Sequence, residues 1–90
     1  MATVIFIIKM MPSSPNVDLK QMQEDAEKSV KKLGAQNISF ELEEIAFGLK
    51  AVKIKLDLDE SKGSEIVEST LSRIENVSSV TIEDYRRAFG

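Results

Sequence analysis

Val52-Lys53-Ile54-Lys55-Leu56-Asp57-Leu58-Asp59 alternates apolar and charged residues without a miss. Side chains along a strand point to opposite faces in turn, so a period of two predicts a strand with one buried and one wet face. Sheets that leave one face in water are typically antiparallel, with the covering layer on the other side. Just upstream, Ile38, Phe40 and Leu42 alternate with Ser39, Glu41 and Glu43, which predicts a second strand of the same kind. Glu44-Ile45-Ala46-Phe47-Gly48-Leu49 joins the two as a short hairpin connection, in which Gly48 can supply a positive φ and Phe47 has no place in the alternation.

The period changes on either side of this hairpin. From Thr3 to Met11 the chain is apolar and β-branched almost throughout, and Pro12, Ser13, Ser14 and Pro15 end it, so this stretch reads as a central strand. Asp18 then stands where an N-cap accepts from the Gln21 backbone N–H, with Gln21 expected to reach back as a capping box. Leu19, Met22, Ala26, Val30 and Leu33 recur at helical spacing, Lys20, Glu24, Glu27, Lys28 and Lys31 fall on the wet side, and Gly34 is placed to end the helix. Beyond the polar loop 59–63, Ser64 and Glu65 open a second helix whose stripe is Val67, Leu71 and Ile74, supported by Ile66. Val80 and Ile82 inward, with Thr81 and Glu83 outward, make a last strand before a tail at 84–90. The order β-α-β-β-α-β predicts an α+β, ferredoxin-like two-layer sandwich: a four-stranded antiparallel sheet with two helices on one face.

Ninety residues with 42% hydrophobic content suffice for one domain spanning 1–90. With no Cys and no His, the chain has no thiolate or imidazole metal site, no Cys nucleophile, no Ser-His-Asp triad and no disulfide. The missing Cys and the lack of a secretory-type amino terminus predict a cytoplasmic protein. The longest apolar run, Val4-Ile5-Phe6-Ile7-Ile8, is far too short to cross a bilayer, so no membrane partner is expected. A net charge of −3 argues against a chain whose main task is gripping nucleic-acid phosphates.

The carboxylates Glu41, Glu43 and Glu44 read as a solvated strand face, and Asp57, Asp59 and Glu60 as a polar loop, because neither group has metal-ligand spacing. No cofactor and no covalent chemistry are expected, and the chain is read as working by docking. The wet side of the 49–58 strand carries Lys53, Lys55 and Asp57 and no aromatic ring, so RNA recognition by stacking is not expected. The first turn has neither an Arg nor a glycine-rich cradle for phosphate. Two features remain unused. Phe47 is either an exposed loop anchor or a ring folded back onto the core. Arg86 and Arg87, flanked by Tyr85 and Phe89, are either an ordinary basic tail or a contact.

Ile45-Ala46-Phe47-Gly48-Leu49-Lys50 resembles the corresponding stretch of the translation elongation factor 1-beta family, especially its short archaeal form. Ile8-Lys9-Met10-Met11-Pro12 with Ser14-Pro15-Asn16-Val17-Asp18-Leu19 resembles that family's opening strand, Pro-rich turn and first helix. Ile74-Glu75-Asn76-Val77-Ser78-Ser79-Val80, followed by Arg86-Arg87, is similar to its last helix-to-strand turn and tail. The resemblance implies a single guanine-nucleotide exchange domain, monomeric when isolated, whose partner is the GTPase elongation factor 1-alpha and which does not engage nucleic acid directly. It implies that Phe47, between Ala46 and Gly48, docks on the second domain of that GTPase. A basic residue near the carboxyl terminus is implied to approach the magnesium and phosphate end of its nucleotide pocket. Alignment places Arg87 where eukaryotic members carry Lys, with Tyr85 and Arg86 adjoining. The alternatives are a small-molecule-binding regulatory module of the same fold, usually dimeric, and a ribosome-associated or RNA-binding protein.

Overall fold

The computed structural model describes residues 2–88. Strand β1 (Thr3–Pro12) leads to helix α1 (Leu19–Lys32), β2 (Gln36–Ala46) and β3 (Leu49–Asp59), then to a 3-10 turn (Glu60–Lys62), helix α2 (Gly63–Ser72) and β4 (Val77–Ala88). The four strands form one sheet in the order β2-β3-β1-β4, antiparallel at every pairing. Val4, Phe6, Ile8 and Met10 of β1 and Val52, Ile54, Leu56 and Leu58 of β3 share one buried cluster with Met22, Ala26 and Val30 of α1 and Val67 and Leu71 of α2. Both helices therefore cover the same face, as the ferredoxin-like reading requires. Burying each of these larger side chains contributes about 1.5–3 kcal/mol of hydrophobic driving force.

Asp18 caps α1, its Oδ1 accepting from the N–H groups of Lys20 at 3.1 Å and Gln21 at 3.2 Å. The expected capping box does not form. Gln21 Nε2 instead donates to Asp25 Oδ1 at 2.9 Å, because residues four apart on a helix are surface neighbours. Helix α2 starts without a side-chain cap, since the 3-10 turn runs directly into it, so Ser64 is not its cap. Ile66 is 46% exposed and stands outside the buried stripe of Val67, Leu71 and Ile74.

A second departure concerns β2. Helix α1 has 14 residues and so reaches ~21 Å, whereas the 11 residues of β2 reach ~36 Å. The helix cannot run the full length of the strand. Leu42, on the edge strand β2, lies 46% exposed where alternation alone predicted burial, although Val52 and Met10 in the same cross-strand row are fully buried. The molecule is elongated, 42 × 21 × 19 Å along its principal axes.

The tail expected at 84–90 is, over its described part, strand. β4 continues to Ala88, paired with β1, while Phe89 and Gly90 lie outside the described residues. A bulge hides this in the sequence: Ile8 opposes Ile82 but Ile7 opposes Asp84, so Glu83 is an extra residue and the inward phase shifts by one position.

The open face of the sheet is organised by charge. Lys9 and Lys53 oppose each other directly in the β1–β3 register, a repulsive arrangement in isolation. Glu43 of β2 accepts both, at 2.8 Å from Lys53 and 3.4 Å from Lys9, and Glu83 lies 3.1 Å from Lys53. The solvated face expected for Glu43 and Lys53 is thus a half-exposed ion network across all four strands. The Lys53 hydrogen bond, aided by Lys9, holds the Glu43 carboxyl below the ordinary glutamate range against the opposing effect of desolvation. Glu43 and then Glu83 push the Lys53 ammonium up.

A carboxylate depressed in the folded state stabilises the fold above its unfolded-state value, and that stabilisation is lost as pH falls through the folded value. Glu43→Gln should therefore be less stable than wild type in urea unfolding near pH 7. The difference should shrink as pH falls below the ordinary glutamate range and through the lower folded-state value, and vanish once Glu43 is neutral in both states.

Candidate functional site: the two ends of the sheet

Phe47 and Gly48 are the entire loop between β2 and β3, because Ala46 pairs with Leu49 across it. Their φ values are 52° and 79°, the pair of positive angles that a two-residue type I′ hairpin turn requires. Gly48 accepts such an angle freely and Asn is the usual residue before it. A phenylalanine there is strained, and its ring is fully exposed, at 102%. The ring therefore does not fold back onto the core. The β2–β3 register shifts between Glu44 and Ala46, which makes Ile45 an extra residue just before the tip and bends the strand there. Leu42 and Ile45 are also exposed, at 46% and 38%, so the protruding hairpin carries apolar side chains beyond Phe47 itself. Neither burial nor turn preference accounts for Phe47, and backbone strain retained at an exposed apolar tip makes it a candidate contact site.

Tyr85, Arg86 and Arg87 lie at the other end, in β4 opposite Phe6, Ile5 and Val4. The Tyr85 ring meets the buried Phe6 edge to face, with centroids 5.0 Å apart and planes at 84°. One side of Tyr85 is thus structural and the rest, 49% exposed, is available. The two arginines do not act as a pair. Arg86 falls on the open face, where its Nε and Nη2 donate to Asp84 Oδ2 at 2.9 and 2.7 Å. Arg87 projects to the helix side and donates to Glu60, whose hydrogen bond and charge push the guanidinium pKa up.

Register measures the separation. Arg87 pairs with Val4 and Val4 with Leu58, which lies eleven residues along β3 from Phe47, or ~36 Å at strand spacing. These ends nearly span the long axis. Sequence reading singled out Phe47 and Arg87 but missed Leu42, Ile45 and Glu60. Leu42 was hidden by its regular alternation, and nothing local in the sequence links Glu60 to a residue in β4.

Among the described residues no cluster of acidic side chains is suited to holding a metal ion, and no helix is long and apolar enough to cross a membrane. The recess between α2 and β4 is lined by Glu65, Glu68, Ser69, Ser72 and Val80. That lining is polar, unlike the apolar walls of typical small-molecule sites, and gives the regulatory-module alternative no support.

Residues 5–88 match the family model described as the EF-1 guanine nucleotide exchange domain. Similar proteins include elongation factor 1-beta of Methanocella arvoryzae, 41% identical over 99% of this chain and 100% of the relative. Elongation factor 1-beta of Staphylothermus marinus is 34% identical over 97% of this chain and 98% of its own length. Among solved structures, "BlrP1 BLUF" superposes on 100% of this chain and 57% of that one with a TM-score of 0.59. At 15% identity that likeness concerns the fold alone.

The turn geometry separates stability from contact. Gly48→Ala should destabilise the protein by roughly 1 kcal/mol, since it places a Cβ on a left-handed residue. Phe47→Asn should leave the melting temperature unchanged or raise it, because Asn-Gly suits the turn and no buried contact is lost. Thermal unfolding followed by circular dichroism checks both.

Proposed function

The chain belongs to the elongation factor 1-beta family and is a translation elongation factor of the nucleotide-exchange type, and on that premise we propose that it promotes GDP release from, and GTP loading onto, the GTPase elongation factor 1-alpha. Phe47 is the observation that carries this reading, a fully exposed ring held in a left-handed turn at the end of a 42 Å body. An aromatic presented this way is a low-entropy anchor for a pocket on a protein partner. Residues 1–90 act as one exchange domain, as a monomer, in the cytoplasm, without cofactor or nucleic acid.

The work is thermodynamic coupling. If docking weakens GDP binding by some factor, bound GDP weakens docking by the same factor, and excess GTP then fills the emptied site. Phe47, between Ala46 and Gly48, anchors the complex through the second domain of the GTPase. Arg87 approaches the magnesium and phosphate end of the nucleotide pocket, with Tyr85 and Arg86 adjoining. A fixed cation near a bound metal disfavours that metal and so loosens the diphosphate it helps to hold. No bond of the nucleotide is made or broken. A spacing of ~36 Å between anchor and cation allows one rigid sheet to serve two regions of one partner.

Release of labelled GDP from elongation factor 1-alpha should accelerate when the protein is added, and absence of acceleration rejects the proposal. Phe47→Asn should raise the half-saturating concentration by on the order of 30-fold, the equivalent of one lost aromatic anchor, with little change in the maximal rate. Arg87→Ala should lower the maximal rate instead. An Arg87→Ala variant that releases GDP as fast as wild type at saturation removes Arg87 from the assignment.

A further inference from the structure

Arg87 does not hang free from its edge strand. Its Nε donates to Glu60 Oε2 at 3.1 Å, and its Nη2 donates to the same oxygen. This side-on contact engages one edge of the guanidinium and leaves Nη1 without an acceptor among the described residues. The fork formed by Nη1 and the outer N–H of Nη2 is the edge suited to bidentate contact with a phosphate or carboxylate. With the side chain 70% exposed, that fork is open to a partner.

Glu60 itself is firmly mounted. Its backbone N–H donates to the Ala2 carbonyl at 3.0 Å, which ties the 3-10 turn to the start of β1. Asp59 pairs with Thr3 in the ladder, and its Oδ1 accepts from the Ser61 N–H at 2.9 Å. The Ser61 backbone hydrogen bond is the leading reason that the Asp59 carboxyl is held below its ordinary range, so this brace remains ionised at neutral pH. Thr3 also pairs with Ala88, so the turn carrying Glu60 and the strand carrying Arg87 are braced by one row of residues.

We infer that Glu60 is the positioning residue for Arg87, holding one edge of the guanidinium so that its outer fork faces an anionic group of the partner. The inference rests on the exchange reading and adds a residue to it. An exposed pair of this kind holds a side chain only weakly, so Glu60 biases the orientation of Arg87 and yields as the partner engages. Its value lies in preorganisation, because a long side chain that is already oriented loses less freedom on docking.

The test compares wild type, Glu60→Ala, Arg87→Ala and the double variant in release of labelled GDP from elongation factor 1-alpha. Glu60→Ala should lower the maximal rate by about threefold to tenfold and leave the half-saturating concentration nearly unchanged, and it should cost nothing further in the Arg87→Ala background. A loss of equal size in both backgrounds, no loss, or a faster rate overturns the inference. Nuclear magnetic resonance of the Arg87 Nε–H in the free protein provides an arm independent of exchange: its exchange with water should quicken in Glu60→Ala, which removes the acceptor, and an unchanged signal overturns the link. If wild type itself does not accelerate release, the exchange reading falls, and the resonance arm still decides whether Glu60 holds Arg87.

Discussion

The two ends of this molecule have a defined relation because β1 is paired on both sides. Its ladder to β3 fixes where the hairpin tip lies, and its ladder to β4 fixes where Arg87 lies, so Val4 is the common reference for Leu58 and Arg87. The inward side of β1 is wholly buried, and slipping either neighbour by one residue would turn an apolar row toward water. Register is thus held by the hydrophobic core, and the separation between the two candidate contacts is a property of that core. A rigid spacer follows from packing alone.

Different forces govern the sheet's two faces. On the helix side, dense apolar burial enforces the pairing. On the open side, two opposed lysines are tolerable because Glu43 and Glu83 flank them, so this face is kept wet and yet ordered. Exposed edges and faces of sheets invite unwanted pairing, and a charged lattice discourages it. The hairpin is the exception. It runs past the reach of the helices and ends in apolar residues, so its tip is unsatisfied in the isolated chain. That combination suits a surface completed by a partner.

Local pattern made most of the architecture legible. Alternation over 52–59 and 38–43, helical spacing in 19–33 and the turn residues between them were enough for the element order and the sandwich, since each signal is a periodicity of neighbouring residues. The hairpin tip was also legible, because Gly48 marks the turn and Phe47 breaks the alternation. The weaker expectations failed where a tertiary constraint intervened. Leu42 follows the inward phase but stands on the edge strand β2, and Ile66 sits beside the buried stripe of α2 without belonging to it.

The sequence by itself determined the order of strands and helices, most of the core and the presence of an aromatic at a tight turn, because these depend on residues within a few positions of one another. Only the tertiary structure decided that the Phe47 ring stands in water, that the segment to Ala88 is strand, and that it is Arg86 that takes the open face and Arg87 the helix side. The last of these turns on the bulge at Glu83, which exists only as a mismatch between two strands. Glu60 reaches Arg87 across 27 positions of sequence for the same reason. Register and long-range pairing are properties of the assembled sheet, and no local pattern encodes them.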